Sequence, residues 1–508
     1  LVAFLHSLPD RSRGVTASEV ALAIGRPGVD LAYVARGLQE TERKAWYMRS
    51  EGDHFLFRTR ASINKRFQEH LARLQAEPSV VTATLDDWSQ KLYSGCSRFQ
   101  VILFPVDHTR VSDTPDRLRL VVVHYDKECA QVGGGAKLNF TKKIYTTSGV
   151  NESPRGYRNN LVFLLAESTR LGSLKDAVRA LIAWERVEKD IETEQSNLAQ
   201  ESGSDYQTLK KKARDGMSGI PVEFSALHDD LVQVAEKRGQ QEINVRTKVL
   251  EAYRILAFPK GGRDDEYSLF ATRGQGPLLE CYRVDFGELP EEKEKKWRSV
   301  RQPVAEGPIL QCLRQNQKLV PEATVEQPLV IVPALLKRPP LWKSGERKIS
   351  TEEVWDRIRR EPEVPMVLKP TDLLPTFKEG LSVQPEACWV YYNQEEKQLW
   401  NLDNAADLSP VMNARHYLYD PKSAVQDRVV PVVSVSAGEV WDHLWPKEGI
   451  DHKNTVSPQV LLAAAKASQH FPVLPAQSIL WQALQEGARD NRWVLFLRGP
   501  QLTIGGQE

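Results

Sequence analysis

The sequence predicts a mixed α/β protein in which winged-helix modules flank an α/β domain that carries a charged helical arm. Near-continuous runs of Val, Ile and Leu at 99–105, 118–124 and 160–165 are typical of strands covered on both faces. A long amphipathic helix is predicted at 171–191, directly after the third run. Helices followed by a short hairpin recur near both ends of the chain, which favours repeated winged-helix units.

Composition limits the kind of protein this chain is. Its 508 residues suggest roughly three to five domains. The net charge of +1 means that any nucleic-acid surface must be a local patch. Five scattered cysteines without a CxxC pair argue against zinc and against a disulfide framework, and favour a reducing cytoplasm. No apolar run approaches the roughly 18–20 residues that cross a bilayer, so no membrane association is expected.

Changes in pattern along the chain predict six segments. They are a winged helix at 1–70, an α/β domain at 71–195, a helical arm at 196–260, a loop-rich connector at 261–345, and winged-helix-like units at 346–420 and 421–508. The chain opens without methionine, and its first residues are typical of the middle of a helix. We therefore expect it to be a fragment of a longer protein.

The first segment has the order of a winged helix. Thr16 and Glu19 form a capping-box pattern that starts one helix, and a further helix is predicted at 30–41. Two short strands follow, at 45–49 and 54–58, around a glycine-containing turn. Together with a helix that ends at Leu1–Ser7, this gives three helices and then a hairpin, which is the order found in winged-helix proteins.

Two local echoes predict that this unit is repeated. Glu-Val-Trp-Asp occurs at 353–356 and again at 439–442, in both cases within a capped helix. A strand that begins with tryptophan follows a helix and a polar turn at Trp46, Trp389 and Trp493. Together these patterns indicate an internal repeat.

No catalytic or cofactor site is predicted in this chain. Gly133-Gly-Gly-Ala-Lys137 lacks the GxxxxGK[ST] spacing of a phosphate loop, no strand leads directly into it, and no helix clearly follows. Pro259-Lys-Gly-Gly262 has the pattern of a plain turn. The histidines lie singly, and Cys96 and Cys129 are predicted to be small core residues. We expect no ATP hydrolysis by this chain alone.

A basic cluster in and after the first hairpin is the candidate nucleic-acid contact. The helix at 30–41 has Arg36 as its only basic residue, so it is poorly suited to reading bases. The cations in and after the hairpin are enough for contact with phosphates. The candidate DNA-binding residues are Arg43, Lys44, Arg49, Arg58, Arg60, Lys65 and Arg66.

Two further arginines, Arg155 and Arg158, stand before the third strand in the run Arg-Gly-Tyr-Arg-Asn-Asn-Leu. They can brace the turn by pairing with carboxylates, or they can reach a phosphate on DNA or on a nucleotide held by another subunit. Bracing is the favoured role. We expect it of Arg158, which is nearest the strand, and leave the trans-acting phosphate role open for Arg155.

The run at 155–161, together with the winged helix and the Ser62-Ile-Asn-Lys65 segment after it, resembles the C-terminal half of large bacterial AAA+ ATPases. These belong to domain-of-unknown-function family 499 (DUF499) and include, or are close to, the PglY/BrxC ATPases of BREX phage-defence islands. Members usually carry Arg-Thr-Tyr-Arg-Asn-Thr-Leu, whereas this chain has Gly156 and Asn160. The resemblance covers about 1–260 and, loosely, 340–508.

The resemblance implies a role in phage defence. ATP and Mg would bind an upstream domain, whose motifs have no counterpart here, so no catalytic residue carries over. Implied partners are nonspecific DNA, a methyltransferase or other defence subunits, and further copies of the parent ATPase. Two alternatives remain open. One is a free-standing winged-helix DNA-binding regulator, and the other is a nucleic-acid-processing enzyme with a site in the α/β domain.

Overall fold

The prediction of a mixed α/β chain is confirmed by a computed structural model, in which one large sheet is accompanied by several small ones. The structure describes residues 14–26, 33–45, 47–51, 53–57, 62–93, 95–132, 138–259, 279–287, 306–322, 324, 329, 331–382, 386–445, 455–498 and 501–506. Among these residues no helix is long and apolar enough to cross a membrane.

The N-terminal unit (residues 14–57) is a three-stranded sheet with two helices. Its elements are β1 (Val15–Thr16), α1 (Ala17–Ile24), α2 (Val34–Lys44), β2 (Met48–Glu51) and β3 (His54–Phe57). The predicted capping box at Thr16 and Glu19 starts α1. The first strand pairs with the last, which gives the order β1-β3-β2. The second helix extends to Lys44, beyond its predicted end at Thr41.

The central domain is built on a sheet of order β4-β5-β9-β10-β11. Its strands are β4 (Phe99–Leu103), β5 (Leu118–Val122), β9 (Leu161–Glu167), β10 (Ile255–Pro259) and β11 (Leu279–Arg283), and the two-residue β6 (Cys129–Ala130) pairs in parallel with the end of β9. The three strands predicted from the apolar runs are parallel to one another, whereas β10 and β11 are antiparallel. For β4, β5 and β9 the order along the chain is also the order in the sheet, so it does not reverse among these three strands.

Both faces of this sheet are covered, as the apolar runs predict. Odd and even positions of β9 point to opposite sides, so Val162 and Leu164 join one core while Phe163 and Leu165 join the other. The helices α3 (Ile63–Leu74) and α4 (Pro78–Tyr93) precede the sheet, and α4 lies on the first face. The short helix α5 (Asn139–Thr146) lies on the second and leads through the hairpin β7 (Thr147–Ser148) and β8 (Ser153–Pro154) to β9.

A helical arm connects β9 to β10. It consists of α6 (Leu171–Glu201), α7 (Tyr206–Arg214) and α8 (Val222–Ala252). The inner half of α6 packs on the sheet, and its outer half packs on α3 and α8. Because α6 is one continuous helix, the predicted border at 195/196 falls inside it. The predicted connector 261–345 contains β11 and α9 (Glu306–Gln315), and α9 packs into the central core.

The middle unit (residues 331–420) repeats the small-sheet pattern with one added strand. Its elements are α10 (Pro333–Leu336), β12 (Lys348–Ser350), α11 (Thr351–Arg360), α12 (Leu374–Glu379), β13 (Val390–Asn393), β14 (Gln398–Trp400) and β15 (His416–Tyr419). The order is β12-β15-β13-β14, so the first strand again pairs with the last.

The C-terminal unit (residues 437–506) follows the same plan. After α13 (Pro421–Gln426) come α14 (Ala437–Glu439, continued by a π-helical turn over Val440–Leu444), β16 (Thr455–Val456), α15 (Pro458–Ala467), α16 (Gln477–Arg489), β17 (Trp493–Arg498) and β18 (Gln501–Gly506). The order is β16-β18-β17. The N-terminal and C-terminal sheets therefore place the last hairpin strand between the first strand and its hairpin partner, whereas in the middle sheet that place is taken by β15, which follows the hairpin β13-β14.

The two sequence echoes have different outcomes. Glu-Val-Trp-Asp at 353–356 lies in α11, which follows the first strand of its unit, whereas the copy at 439–442 begins in α14, which precedes it. These helices are not equivalent, so that echo does not mark the repeat. Trp389 and Trp493, by contrast, occupy matching places at the start of the hairpin, and Trp46 lies outside the described residues.

Each matching tryptophan fits beneath a glycine of the preceding helical segment. The indole N–H of Trp389 donates to the Phe377 carbonyl at 2.9 Å, and that of Trp493 donates to the Leu484 carbonyl at 2.8 Å. The glycines are Gly380 in the middle unit and Gly487 in the C-terminal unit, and each lies three residues after the residue whose carbonyl accepts the indole hydrogen bond. It leaves the space that the indole fills, and the buried N–H is satisfied.

Replacing either glycine with alanine should destabilise its unit. A Cβ on Gly380 would lie 2.2 Å from the Trp389 ring, and one on Gly487 would lie 2.0 Å from the Trp493 ring. Overpacking of this kind costs about 1–3 kcal/mol. Gly37→Ala is the matched control, because nothing lies within 4 Å of its Cβ and alanine favours a helix. Urea unfolding should show lower stability for Gly380→Ala and Gly487→Ala only; parent-like unfolding of both would contradict the packing argument.

Candidate functional site

Arg155 is an internal brace of the central domain. Its guanidinium donates to four backbone carbonyls, those of Val111 (2.8 Å), Ser112 (2.9 Å), Ile144 (2.8 Å) and Thr147 (3.1 Å). The residue is only 4% exposed. Burial lowers the pKa of Arg155 to about 10, which leaves the guanidinium charged at neutral pH. It therefore ties α5 and the loop before β5 to the turn that enters β9.

Asp113 completes this brace. Its carboxylate lies 3.8 Å from the Arg155 guanidinium and accepts hydrogen bonds from the backbone N–H groups of Gly156 (2.7 Å) and Tyr157 (2.9 Å). One carboxylate thus balances a buried charge and fixes the backbone just after it. This geometry positions the next residues, Arg158 to Asn160, as a single 3-10 turn before the strand.

The two asparagines of that turn join the central domain to the middle unit. Asn159 is fully buried, and its side-chain amide donates to the carbonyls of Ile358 (2.7 Å) and Val364 (3.0 Å). Asn160 donates to the Thr114 carbonyl at 2.9 Å, and its oxygen accepts from Arg359 at 2.7 Å. These contacts bind the C-terminal end of α11 directly to the start of β9.

Two more buried cations line this joint. The Arg359 guanidinium stacks on the Trp355 ring at 4.0 Å, and burial lowers the pKa of Arg359 to about 9. The Lys318 ammonium donates to the carbonyls of Pro362 (2.5 Å) and Val364 (3.3 Å). Burial lowers the pKa of Lys318 from 10.5 to about 7. Because the unfolded chain keeps this proton to higher pH, the cost of burying Lys318 is relieved as the pH rises from about 7 to 10.5, and the free energy of unfolding rises over that range.

The bracing role expected of Arg158 is filled by Arg155. The bracing contacts belong to Arg155, whereas Arg158 is half-buried and its Nε has no hydrogen-bond partner among the described residues. The nearby Tyr145 hydroxyl also has no partner there, and burial raises its pKa. Sequence order suggested that the arginine nearest the strand would brace it. The turn instead points Arg155 inward, toward carbonyls that are distant in sequence.

The predicted DNA-binding cluster is only partly visible. Arg58 and Arg60 lie outside the described residues, as do the side chains of Arg43, Lys44 and Arg49. The backbone places Arg43 and Lys44 in the last turn of α2 and not in the hairpin. Arg66, on α3, donates to both carboxylate oxygens of Glu194, at 2.5 and 3.1 Å. Its guanidinium is thus engaged within the protein, and Lys65 lies beside it in the first turn of α3.

The region around the glycine run corrects one expectation. Residues 133–137 themselves lie outside the described residues, but β6 precedes them and α5 follows them. A helix N-terminus in this position could bind an anion. Here the Glu128 carboxylate occupies it, accepting hydrogen bonds from the N–H groups of Phe140 (3.0 Å) and Thr141 (2.9 Å). The protein's own carboxylate therefore fills the place of a phosphate.

Sequence reasoning missed a histidine bracketed by two carboxylates just after β5. His124 Nε2 lies 3.4 Å from Asp86, and its Nδ1 lies 3.7 Å from Asp126. Only folding brings Asp86 of α4 to this place, so no sequence spacing could reveal the group. The two carboxylates lie at opposite edges of the ring and do not converge on one point. Within the described residues no group of three or more His, Cys, Asp or Glu side chains could hold a metal ion.

The cysteines have core positions. Cys96, Cys281 and Cys312 are buried, and burial raises the pKa of the Cys96 thiol to about 12 and those of the other two to about 11. Cys129 and Cys388 are half-buried, and burial raises their pKa as well. A thiol with a raised pKa is a poor nucleophile at neutral pH.

Comparison with protein-family models, with curated proteins and with solved structures gives no match to this chain.

Arg155→Ala and Arg158→Ala should differ strongly in stability. Loss of Arg155 leaves four carbonyls without their donor and the Asp113 carboxylate without its counter-charge, which should cost on the order of 3 kcal/mol. Arg158→Ala should change the free energy of unfolding by less than about 1 kcal/mol, because Arg158 makes no hydrogen bond among the described residues. Denaturant unfolding of both variants provides the measurement. Equal losses, or a larger loss for Arg158→Ala, would refute this assignment of roles.

Proposed function

We propose that this chain is the non-catalytic C-terminal region of an AAA+ ATPase of an anti-phage defence system, which docks partner subunits and contacts DNA without sequence preference. The observation that carries the proposal is the strand order of the N-terminal and C-terminal sheets, which the middle sheet repeats with β15, a strand that follows its hairpin, in the central place. A first strand, two helices and a hairpin whose last strand pairs with the first is the order of a winged helix. Tandem winged helices are suited to binding nucleic acid and protein surfaces.

The character of the N-terminal unit supports nonspecific contact. Along α2 Arg36 is the only basic residue before Arg43, and the acidic Glu40 follows one turn later, so the exposed side of this helix carries little positive charge. The cations cluster at the end of α2 and in the hairpin sequence, where they suit phosphates. This distribution of charge favours contact with the DNA backbone over a recognition helix held in the major groove.

The packing between units supports a docking role. The joint at Asn159 fixes the middle unit on the central domain. The middle unit in turn contacts the C-terminal unit, where the Tyr392 hydroxyl donates to the Pro472 carbonyl at 2.7 Å. Lys397 donates to the Ala465 carbonyl at 3.4 Å and also to that of Ser468. Such a framework holds several binding surfaces in fixed positions, as a scaffold requires.

The location of ATP chemistry in an upstream domain is part of the same proposal. Glu128 occupies the one helix N-terminus that follows the glycine run. The parallel strands of the central sheet follow one another in order, whereas nucleotide sites in open α/β sheets form where that order reverses. Both observations support a region that serves an ATPase without itself holding the nucleotide.

DNA binding should fall when the hairpin-side cations are neutralised together. The variant Arg49→Gln, Arg58→Gln, Lys65→Gln should bind a 30-base-pair duplex more weakly at every sequence. The slope of log Kd against the logarithm of the salt concentration should become shallower by up to about 3, because each of the three lost phosphate contacts contributes roughly 0.9. The control replaces three exposed cations elsewhere, Lys142, Lys422 and Arg428, with glutamine. Fluorescence anisotropy over a salt series measures both; an unchanged salt slope, or a loss confined to one sequence, would count against the proposal.

A further inference from the structure

The segment that joins the two long helices of the arm is longer than a reversal of chain direction requires. Two helices of 31 residues each, α6 and α8, run side by side and are joined by residues 202–221. Antiparallel helices are commonly joined by roughly two to eight residues. Here the connection instead contains the whole of α7, held between glycines 203 and 216, both with positive φ. An inserted helix of this kind requires an explanation beyond chain reversal.

The acidic residues of α6 are already used within the protein. Four of them pair with side chains from the three helices packed around α6, namely three lysine or arginine side chains and one histidine. The pairs are Glu188 with Arg238 (2.6 Å), Asp190 with His70 (2.7 Å), Glu192 with Lys210 (3.2 Å) and Glu194 with Arg66 (2.5 Å). The acidic part of the arm is thus largely neutralised by internal partners.

The cations at the end of α7 have fewer internal partners than the acidic residues of α6. Leu209 is buried against α6 and α8, which turns the opposite side of α7 to solvent. Lys211 is exposed and Lys212 half-buried, and within the described part of the chain neither makes an ion pair. The Arg214 side chain is 70% exposed, and within the described residues it pairs with its neighbour Asp215 alone, at 3.1 Å. Cations in a last helical turn also favour the helix dipole, but by only about 0.3–1 kcal/mol each.

The position of α7 favours an external partner. The core that holds it contains only arm residues, among them Ala199 and Phe224. The N-terminal unit lies near this end of the arm, because α3, which follows that unit, pairs with Glu194 less than two turns before Ala199. The cationic side of α7 therefore lies near the outer half of the arm, where the N-terminal unit joins it.

We propose that α7 is a second phosphate-contacting surface of this protein, in which Lys211, Lys212 and Arg214 bind the backbone of duplex DNA. This inference rests on the DNA contact proposed above, but it assigns that contact to residues of a different element. A row of cations without base-reading side chains binds through counterion release, so the contact should be independent of sequence and sensitive to salt.

The test compares the full chain with Lys211→Gln, Lys212→Gln, Arg214→Gln, and with the charge-matched control at Lys142, Lys422 and Arg428. All three positions of the arm variant face solvent or lie half-buried without an internal carboxylate other than Asp215, so the fold should survive; circular dichroism checks this. With a 30-base-pair duplex at low salt, the arm variant should bind at least about tenfold more weakly, and its salt slope should fall by up to about 3. The control should stay within twofold of the parent.

The outcomes separate this proposal from the preceding one. If the arm variant weakens binding while the hairpin variant does not, the assignment to α7 holds and the hairpin contact fails. If the hairpin variant weakens binding and the arm variant matches the parent, α7 is not a DNA surface. A parent chain that does not bind the duplex, or a control that weakens it as much as the arm variant, would also overturn the proposal.

Discussion

The arrangement of this molecule depends on one buried guanidinium, that of Arg155. By donating to four carbonyls it holds α5, the loop before β5 and the entry to β9 in fixed relation. Asp113 balances the charge and fixes the following backbone, so Asn159 and Asn160 emerge in the orientation that binds the middle unit. A motif that reads as a candidate phosphate site is therefore an internal brace followed by a joint between domains.

The joint is made largely of cations whose partners are backbone and amide oxygens. Lys318 and Arg359 are each 1% exposed or less, and between them they bond the Asn160 amide oxygen and the carbonyls of Pro362, Val364 and Leu368. A buried charge loses its hydration, so every remaining hydrogen bond is important to its stability. This requirement for complete bonding gives the joint one defined geometry, which a purely apolar contact would specify less sharply.

Local sequence patterns predicted helices and strands, whereas contacts between residues distant in sequence determine the geometry of the candidate site. The apolar runs at 99–105 and 118–124 predicted strands covered on both faces, and the structure pairs these strands in parallel. Trp389 and Trp493 correctly marked the hairpins, since a buried indole must have a partner. The roles of Arg155 and Arg158 were not predictable, because the acceptors of Arg155 are as far as 44 residues away. The same is true of Asp86, which reaches His124 only through folding, and of the carboxylates that neutralise α3 and α8.

The central claim is that Asn159 joins the middle unit to the central domain. Hydrogen–deuterium exchange of the full chain carrying Asn159→Ala tests it most directly, with Asn404→Ala, at the 3-10 turn after β14, as a matched amide deletion away from the joint. The account predicts faster exchange at the last turn of α11 and at residues 364–368 on both sides of the lost hydrogen bonds, while β5 and β9 stay protected. Unchanged exchange at 358–368, or an equal increase throughout the sheet, would contradict it.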